Sequence, residues 1–272
     1  MAPNSKTVSR CLLRPTYKRR PQFDTSCLLS FDDYEAPLIG AGASAIVLAV
    51  NDELAVKLFP SGPKHKRDYE REVEIFQKLK TKNSPNIVQF VQVLWGCGIV
   101  MERMNMTLRQ RLRAPVDGFA LEDQWMNDTA CGLSFLHSHD ILHGDVGCQN
   151  ILIDDCERAK LCDFAGSRFE DKDAWANYHT RNQHPRYHQK QPAIASELFA
   201  LGSVIFEITT RHQPYEHVSD LIVTHRFSEG DFPLHEISRP QIRRIVERCW
   251  KSTYVQISQV CEELLELSWD ME

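Results

Sequence analysis

Lys57 stands in the run Leu54-Ala55-Val56-Lys57-Leu58-Phe59. A lysine in so apolar a stretch is either an edge residue reaching solvent or a buried cation that needs anions. Glu72 supplies one: it falls inside the stripe Tyr69, Val73, Phe76 and Leu79, which recurs at the spacing of one helix face, and an acid there needs a cation to offset its desolvation. Residues 141 to 153 read I-L-H-G-D-V-G-C-Q-N-I-L-I and residues 160 to 166 read K-L-C-D-F-A-G. Asp145, Asn150 and Asp163 thus sit at strand ends and turns between apolar runs. That arrangement can hold Mg²⁺ through oxygen ligands while leaving one carboxylate to handle a proton. The stretch I-G-A-G-A-S-A-I-V, Ile39 to Val47, is a small-residue loop. Small side chains let backbone N–H groups approach phosphate oxygens, although a tight hairpin with alanines reads the same.

These residues need elements to position them. Ile46 to Val50 and Leu54 to Phe59, joined by the polar turn Asn51-Asp52-Glu53, predict a hairpin. A helix follows Pro63, with Glu70, Glu74 and Lys78 expected on its solvated face, and the strand carrying Lys57 is expected to pack against it. Ile87 to Leu94 and Gly98 to Met101 are two more strand-like runs about a Trp95-Gly96-Cys97 turn. Beyond Asn105 the pattern is helical: Leu108 to Leu112, Leu121 to His137, Ser196 to Thr210, Pro240 to Trp250 and Tyr254 to Leu267. A β-rich part followed by a helical part predicts an α+β chain in two lobes with the boundary near Met104. Residues 1–30 form a basic arm, with no acid before Asp24, and are expected to be disordered; residues 34–104 make the first lobe and 105–272 the second.

The 272 residues are 42% hydrophobic and 25% charged, which is ordinary globular composition. With 32 basic and 37 acidic side chains the net charge is −5, so no chain-wide positive field exists to hold a nucleic-acid backbone. The longest apolar runs fall short of the roughly 20 residues of a membrane helix, and no membrane insertion is expected. Nine cysteines without a C-x-x-C pair point to free thiols in a reducing compartment, hence a cytoplasmic location, or a nuclear one given the basic arm. His179, His184 and His188 are expected in a solvated loop.

The ordered set of glycine-rich loop, A-V-K, helix Glu, H-x-D-x-x-x-x-N and D-F resembles the eukaryotic protein kinases from about Tyr34 to Leu267. Within that family the H-G-D and D-F-A-G variants are similar to a group of short fungal kinase-like proteins. The resemblance implies a bilobal fold, a small β-rich N-lobe with one helix and a larger helical C-lobe, and it implies ATP, Mg²⁺ and a protein substrate. Carried over by position, Gly40 and Gly42 cover the ATP phosphates, with Ala45 where a third glycine usually stands. Val47, Ala55 and Met101 border the nucleotide, and backbone from Glu102 to Met104 meets the adenine edge. Lys57 pairs with the phosphates and with Glu72, Asp145 orients the substrate hydroxyl and accepts its proton, and Asn150 and Asp163 hold metal ions. His143, Phe164 and Phe76 stack in support. Glu197 replaces the usual Asp of a helix that anchors the catalytic loop.

Other departures bear on mechanism. Gly144 replaces an arginine that in many kinases pairs with a phosphorylated loop, so activity is not expected to need a loop phosphate near Tyr178 or Thr180. Gly147 replaces the lysine that steadies the γ-phosphate, and Gln149 stands where tyrosine kinases often carry a substitute arginine; Arg168 and Lys190 are candidate compensating cations. No A-P-E precedes Glu197 and no partner arginine follows Trp250, so both halves of one buried ion pair are missing together. The expected function is transfer of the ATP γ-phosphate to Ser or Thr of proteins. The alternatives are a pseudokinase that regulates without transfer and a small-molecule kinase of the aminoglycoside or choline type.

Overall fold

The computed structural model describes residues 35–82, 84–94, 98–114, 120–187 and 191–269, with Thr25, Leu28 and Gly96. The first lobe comprises β1 (Leu38–Ala41), β2 (Ile46–Ala49), β3 (Leu54–Leu58), α1 (Pro63–Leu79), β4 (Phe90–Leu94) and β5 (Gly98–Glu102). The strands form one antiparallel sheet in the order β1-β2-β3-β5-β4. Strand alternation divides the central β3: Leu54 and Val56 join Leu48, Leu94 and Val100 on the outer face, while Ala55 belongs to the main core with Ile99, Met101, Ile75 and Phe76. Lys57, two residues beyond Ala55, therefore lies on the face that α1 covers. Pro63 opens α1, where a missing N–H is no loss.

The buried face of α1 is rotated from the expected stripe. Asp68, Arg71, Glu72, Ile75, Phe76 and Leu79 are buried, and Tyr69 and Val73 are only partly so. Asp68 and Arg71 are drawn inward by partners about a hundred residues downstream, which local periodicity cannot show. β4 begins at Phe90 rather than Ile87, because Ile87 leaves the sheet to bridge Leu161 in the second lobe. Apart from Thr25 and Leu28, residues 1–30 lie outside the described residues, as do Trp95 and Cys97. Leu28, within the stretch expected to be disordered, is instead buried against the outer sheet face.

The second lobe contains β6 (Met106–Thr107), α2 (Leu108–Leu112), α3 (Ala120–His137), β7 (Ile141–Leu142), β8 (Ile151–Ile153), β9 (Ala159–Leu161), β10 (Arg168–Phe169), α4 (Ile194–Thr210), α5 (Asp220–Ser228), α6 (Pro240–Trp250) and α7 (Ile257–Trp269). β6-β8-β9 and β7-β10 are small sheets that bracket the turn from His143 to Asn150. α5 has too weak an apolar stripe to be read locally; only Val223 and Phe227 are buried.

Every residue of α4 from Ser196 to Ile208 is buried, so this helix is the axis of the lobe. Gly202 lets α6 approach: a Cβ there would lie 2.7 Å from the Cβ of Cys249. Two acids interrupt the apolar helix, and each is fully engaged. Glu207 takes a bidentate pair of bonds from Arg109 at 2.6 and 2.9 Å. Glu197 accepts from the backbone N–H groups of His143 (3.1 Å) and Gly144 (2.9 Å), from the Tyr178 hydroxyl (2.5 Å), and lies 3.0 Å from His137 Nε2. The longer side chain thus makes the anchoring bonds expected of a shorter one.

Burial opposes the Glu197 charge, but the hydrogen bond and charge of His137, with help from His143 and Tyr178, hold its carboxyl down at about 2. The folded value lies below the ordinary 4.5, so this stabilisation is fully present above about pH 4.5 and disappears as pH falls toward 2. Glu197→Gln should cost roughly 3–5 kcal/mol at neutral pH, the scale for removing one member of a buried charged network. In urea titrations the gap between wild type and variant should narrow as pH drops below 4.5; a gap that stays constant or widens contradicts this origin.

Candidate active site

Strand β3, helix α1 and the segment after β9 converge on one ammonium group. Lys57 Nζ donates to Glu72 Oε2 at 2.6 Å and to Asp163 Oδ1 at 2.7 Å. The lysine and Glu72 are buried, and the Asp163 side chain is 41% exposed. Burial pushes the Glu72 carboxyl up to about 7 against the pull of Lys57. Asp163 moves the other way, since Lys57 beside it outweighs burial and holds its carboxyl below the ordinary value. Asp163 adopts a left-handed backbone (φ 64°), a conformation that costs a non-glycine residue about 1–3 kcal/mol and collects at functional sites.

The next residue holds this geometry. Phe164 packs edge-on against Phe76 of α1, with ring centroids 5.3 Å apart, and against His143 at 5.5 Å. His143 Nε2 lies 2.9 Å from the Cys162 carbonyl. Across the turn, Asn150 donates its amide nitrogen to the Asp145 backbone carbonyl (2.8 Å) and to Asp145 Oδ2 (2.9 Å). That leaves the Asn150 Oδ1 oxygen as the atom it can offer a cation. Burial raises the Asp145 carboxyl despite His143, His179 and Asn150, which makes it a better proton acceptor than an exposed aspartate. Its Oδ1 is buried and has no hydrogen-bond partner among the described residues.

A cleft of about 230 Å³ lies between the lobes, lined by Gly42, Val47, Ala55, Lys57, Glu72, Met101, Glu102, Met104, Asn150 and Asp163. Two expected site residues do not line it: Gly40, which pairs with Val47 within the sheet, and Asp145, which is held by Asn150 in the turn beyond it. Met106, Thr107, Leu152 and Cys162 also line it and were not anticipated, because nothing in their own stretches distinguishes them from core residues. Arg103 donates its N–H to the Glu53 carbonyl (2.7 Å) and Asn105 to that of Ile153 (2.9 Å). Met104, between them, has no such backbone acceptor among the described residues, so its N–H is available at the cleft edge.

Among the described residues no group of three His, Cys, Asp or Glu side chains is placed to hold a metal. Asp163 and the Asn150 oxygen form a sparse, all-oxygen donor set. Such a set suits Mg²⁺, which keeps several waters and draws its other ligands from phosphates.

The segment after Asp163 folds against α1. Gly144 has φ 80°, and a Cβ there would lie 3.6 Å from the Ala176 Cβ and 3.8 Å from that of Ala174. The two alanines thus lie in ordinary contact distance of position 144, whose left-handed backbone favours glycine. Between the alanines, Trp175 donates its indole N–H to Asp68 Oδ1 at 2.8 Å, with the Arg67 and Arg71 guanidinium carbons 4.0 and 4.3 Å from its ring centroid. Buried Arg71 also donates to the carbonyls of Ser167 and Asp173. The exposed pairs Lys172 with Glu74 and Lys78 with Glu170 flank this contact.

His184 is buried rather than solvated. Its Nε2 lies 3.0 Å from Ser252 Oγ and its ring packs on Phe199. Burial, with Arg186 nearby, lowers its pKa to about 4, so a neutral hydrogen bond joins the two stretches from which the charged pair is missing. His188 and Lys190 lie outside the described residues. Arg168 is exposed on β10 and does not line the cleft.

A family model described as protein tyrosine and serine/threonine kinase matches residues 43–262. The chain is 26% identical over 208 residues to the dual specificity protein kinase shkC of Dictyostelium discoideum, covering 67% of this chain and 39% of that protein. It is 25% identical over 209 residues to the serine/threonine/tyrosine-protein kinase HT1 of Arabidopsis thaliana, covering 69% and 53%. With the cytoplasmic tyrosine-protein kinase BMX of Mus musculus it shares 25% over 240 residues, 79% of this chain and 36% of that one. The chain thus spans about half or less of the length of these relatives. The match over residues 43–262 follows the same β-sheet lobe, helical lobe and intervening cleft: the chain belongs to the protein tyrosine and serine/threonine kinase family.

Proposed function

We propose that this chain is an Mg²⁺- and ATP-dependent protein kinase that phosphorylates serine or threonine hydroxyls. The observation that carries this is Lys57, held at 2.6 and 2.7 Å between Glu72 and Asp163 in a cleft, with Asp145 tied separately to Asn150. Two acids are thereby given different work. Asp163, kept ionised by Lys57, is suited to a cation; Asp145, its carboxyl raised, is suited to take a proton. Gly147 lacks the lysine of serine/threonine kinases and Gln149 the arginine of tyrosine kinases, so phosphoamino-acid analysis of the product decides between aliphatic and phenolic hydroxyls.

In the proposed reaction the substrate oxygen forms a bond to the γ-phosphorus while the bond from that phosphorus to the β–γ bridging oxygen breaks. The hydroxyl proton passes to Asp145, and the electron pair of the broken bond leaves with ADP. Lys57 neutralises and orients phosphate oxygens, and Met104 N–H with the neighbouring backbone meets the adenine edge. Mg²⁺, when bound, supplies charge neutralisation at the phosphates. Lys57→Ala and Asp163→Asn should each lower phosphate transfer to a mixed peptide and protein panel at least a hundredfold, the scale for losing one preorganised electrostatic contact. A wild type that binds Mg²⁺-ATP but transfers no more phosphate than Asp145→Asn favours the pseudokinase reading, for which Gly147 is the specific support.

The same geometry supports activity without loop phosphorylation. A phosphorylated loop ordinarily uses charge to secure the helix bearing the glutamate; here Arg71 and Trp175 bind that helix to the segment directly. Cation–π contacts of this kind contribute about 0.5–2 kcal/mol each, whereas the exposed lysine pairs add little. Phosphatase treatment should leave turnover unchanged, and Trp175→Ala should lower it about tenfold or more while the protein stays folded by circular dichroism. Turnover lost on phosphatase treatment contradicts this.

A further inference from the structure

The missing lysine at position 147 leaves a question of charge. Lys57 already faces two carboxylates, and Arg168 does not reach the cleft. Gln149 lies two residues beyond Gly147 in the same turn, which Asn150 N–H closes by donating to the Gly147 carbonyl at 2.9 Å. Its side chain folds back over the glycine: a Cβ on Gly147 would lie 2.4 Å from Gln149 Oε1 and 2.6 Å from Nε2. No residue larger than glycine fits at 147 while the amide is there.

That amide is cut off from solvent, and neither its Nε2 nor its Oε1 has a hydrogen-bond partner among the described residues. Buried side-chain amides are rarely left in this condition, and such groups call for a missing partner. Gln149 lines the same cleft as Lys57, Asn150 and Asp163, and the remaining buried acceptor without a partner in this turn is Asp145 Oδ1. The turn that carries Asp145 thus also presents an unspent pair of N–H donors.

We propose that the Gln149 side-chain amide donates to the γ-phosphoryl oxygens of bound nucleotide, taking the place of the absent lysine, and that Gly147 exists to give that amide its position. This rests on the kinase reading above. A neutral donor in a water-poor site stabilises charge that develops on those oxygens without adding a second cation. Gln149 is then a catalytic residue of this chain, with Gly147 a positioning residue.

The test compares Mg²⁺-ATP and Mg²⁺-ADP binding by calorimetry on the full chain, together with phosphate transfer, for wild type, Gln149→Ala, Gly147→Lys and the double variant Gly147→Lys/Gln149→Ala. Gln149→Ala should weaken ATP binding about tenfold while leaving ADP binding within twofold, and should lower transfer about a hundredfold. Gly147→Lys alone should not exceed wild type, because its side chain meets the amide. The double variant should transfer at least tenfold faster than Gln149→Ala, since the lysine then has both room and a role.

ATP and ADP affinity falling together in Gln149→Ala would show a structural role and overturn the proposal. So would ATP binding and transfer within twofold of wild type, or a double variant no faster than Gln149→Ala. Wild type that binds ATP more tightly than ADP but transfers nothing separates the two claims: the γ-phosphate contact is then judged on the ATP-to-ADP ratio alone, while the kinase reading fails. Wild type that binds neither nucleotide removes both.

Discussion

A lysine buried between two carboxylates sets the terms for the rest of this chain. Lys57 Nζ cannot leave its position in β3 without exposing Glu72 as an unpaired buried charge, and Glu72 cannot approach unless α1 lies flat on the sheet. The position of α1 is in turn fixed by residues 167–175, which reach it through Arg71 and Trp175. Glu72 and Asp163 both face one ammonium group, and when both are ionised the local charge is one unit negative. Interiors do not tolerate such an imbalance without response. Burial adds to that response by raising the Glu72 carboxyl, while Lys57 holds that of Asp163 down.

The opposite wall hangs from a second carboxylate. Glu197 receives donors from the end of α3, from the catalytic turn and from Tyr178, so one buried acid on the central helix joins three stretches of chain that sequence keeps apart. Its extra methylene relative to aspartate does not weaken the anchor, because four donors surround the carboxylate. Tyr178 follows Trp175 by three residues, so the segment that secures α1 at one point is secured to the lobe axis at another. Asp68 of α1, through Trp175, and Glu197 of α4, through Tyr178, therefore both hold this segment, which links α1 to the turn from His143 to Asn150.

Much of this was legible in the residues themselves. A charge in a purely apolar run has few physical solutions, and Lys57 and Glu72 predicted one another for that reason. Asp145, Asn150 and Asp163 stood out as polar residues between short apolar strands, and Asn150 does meet Asp145 across the turn while Asp163 meets Lys57. Sequence was silent where a side chain's partner lies far along the chain. Trp175 and Asp68 are 107 residues apart, and His184 and Ser252 are 68 apart, so His184 read as a loop residue and Trp175 was not singled out. The rotated face of α1 has the same cause: Asp68 and Arg71 look solvated until the second lobe supplies what they bind. Leu28 shows the complementary case, a residue whose burial depends on a sheet formed later in the chain.

The departures from the family pattern come in matched sets rather than singly. Where an arginine is absent at 144, Ala174 and Ala176 lie beside the position and Trp175 makes the connection the arginine's phosphate would have made. The charged pair missing after the segment is replaced at both ends by neutral groups, His184 and Ser252, and no charge is left stranded. At 147 the loss of a lysine coincides with an amide that occupies its origin. Random loss of function would be expected to remove one partner and leave the other buried, the most destabilising outcome available. Coordinated replacement keeps the buried groups of both lobes paired by other chemistry, so the fold carries these departures without a stranded charge.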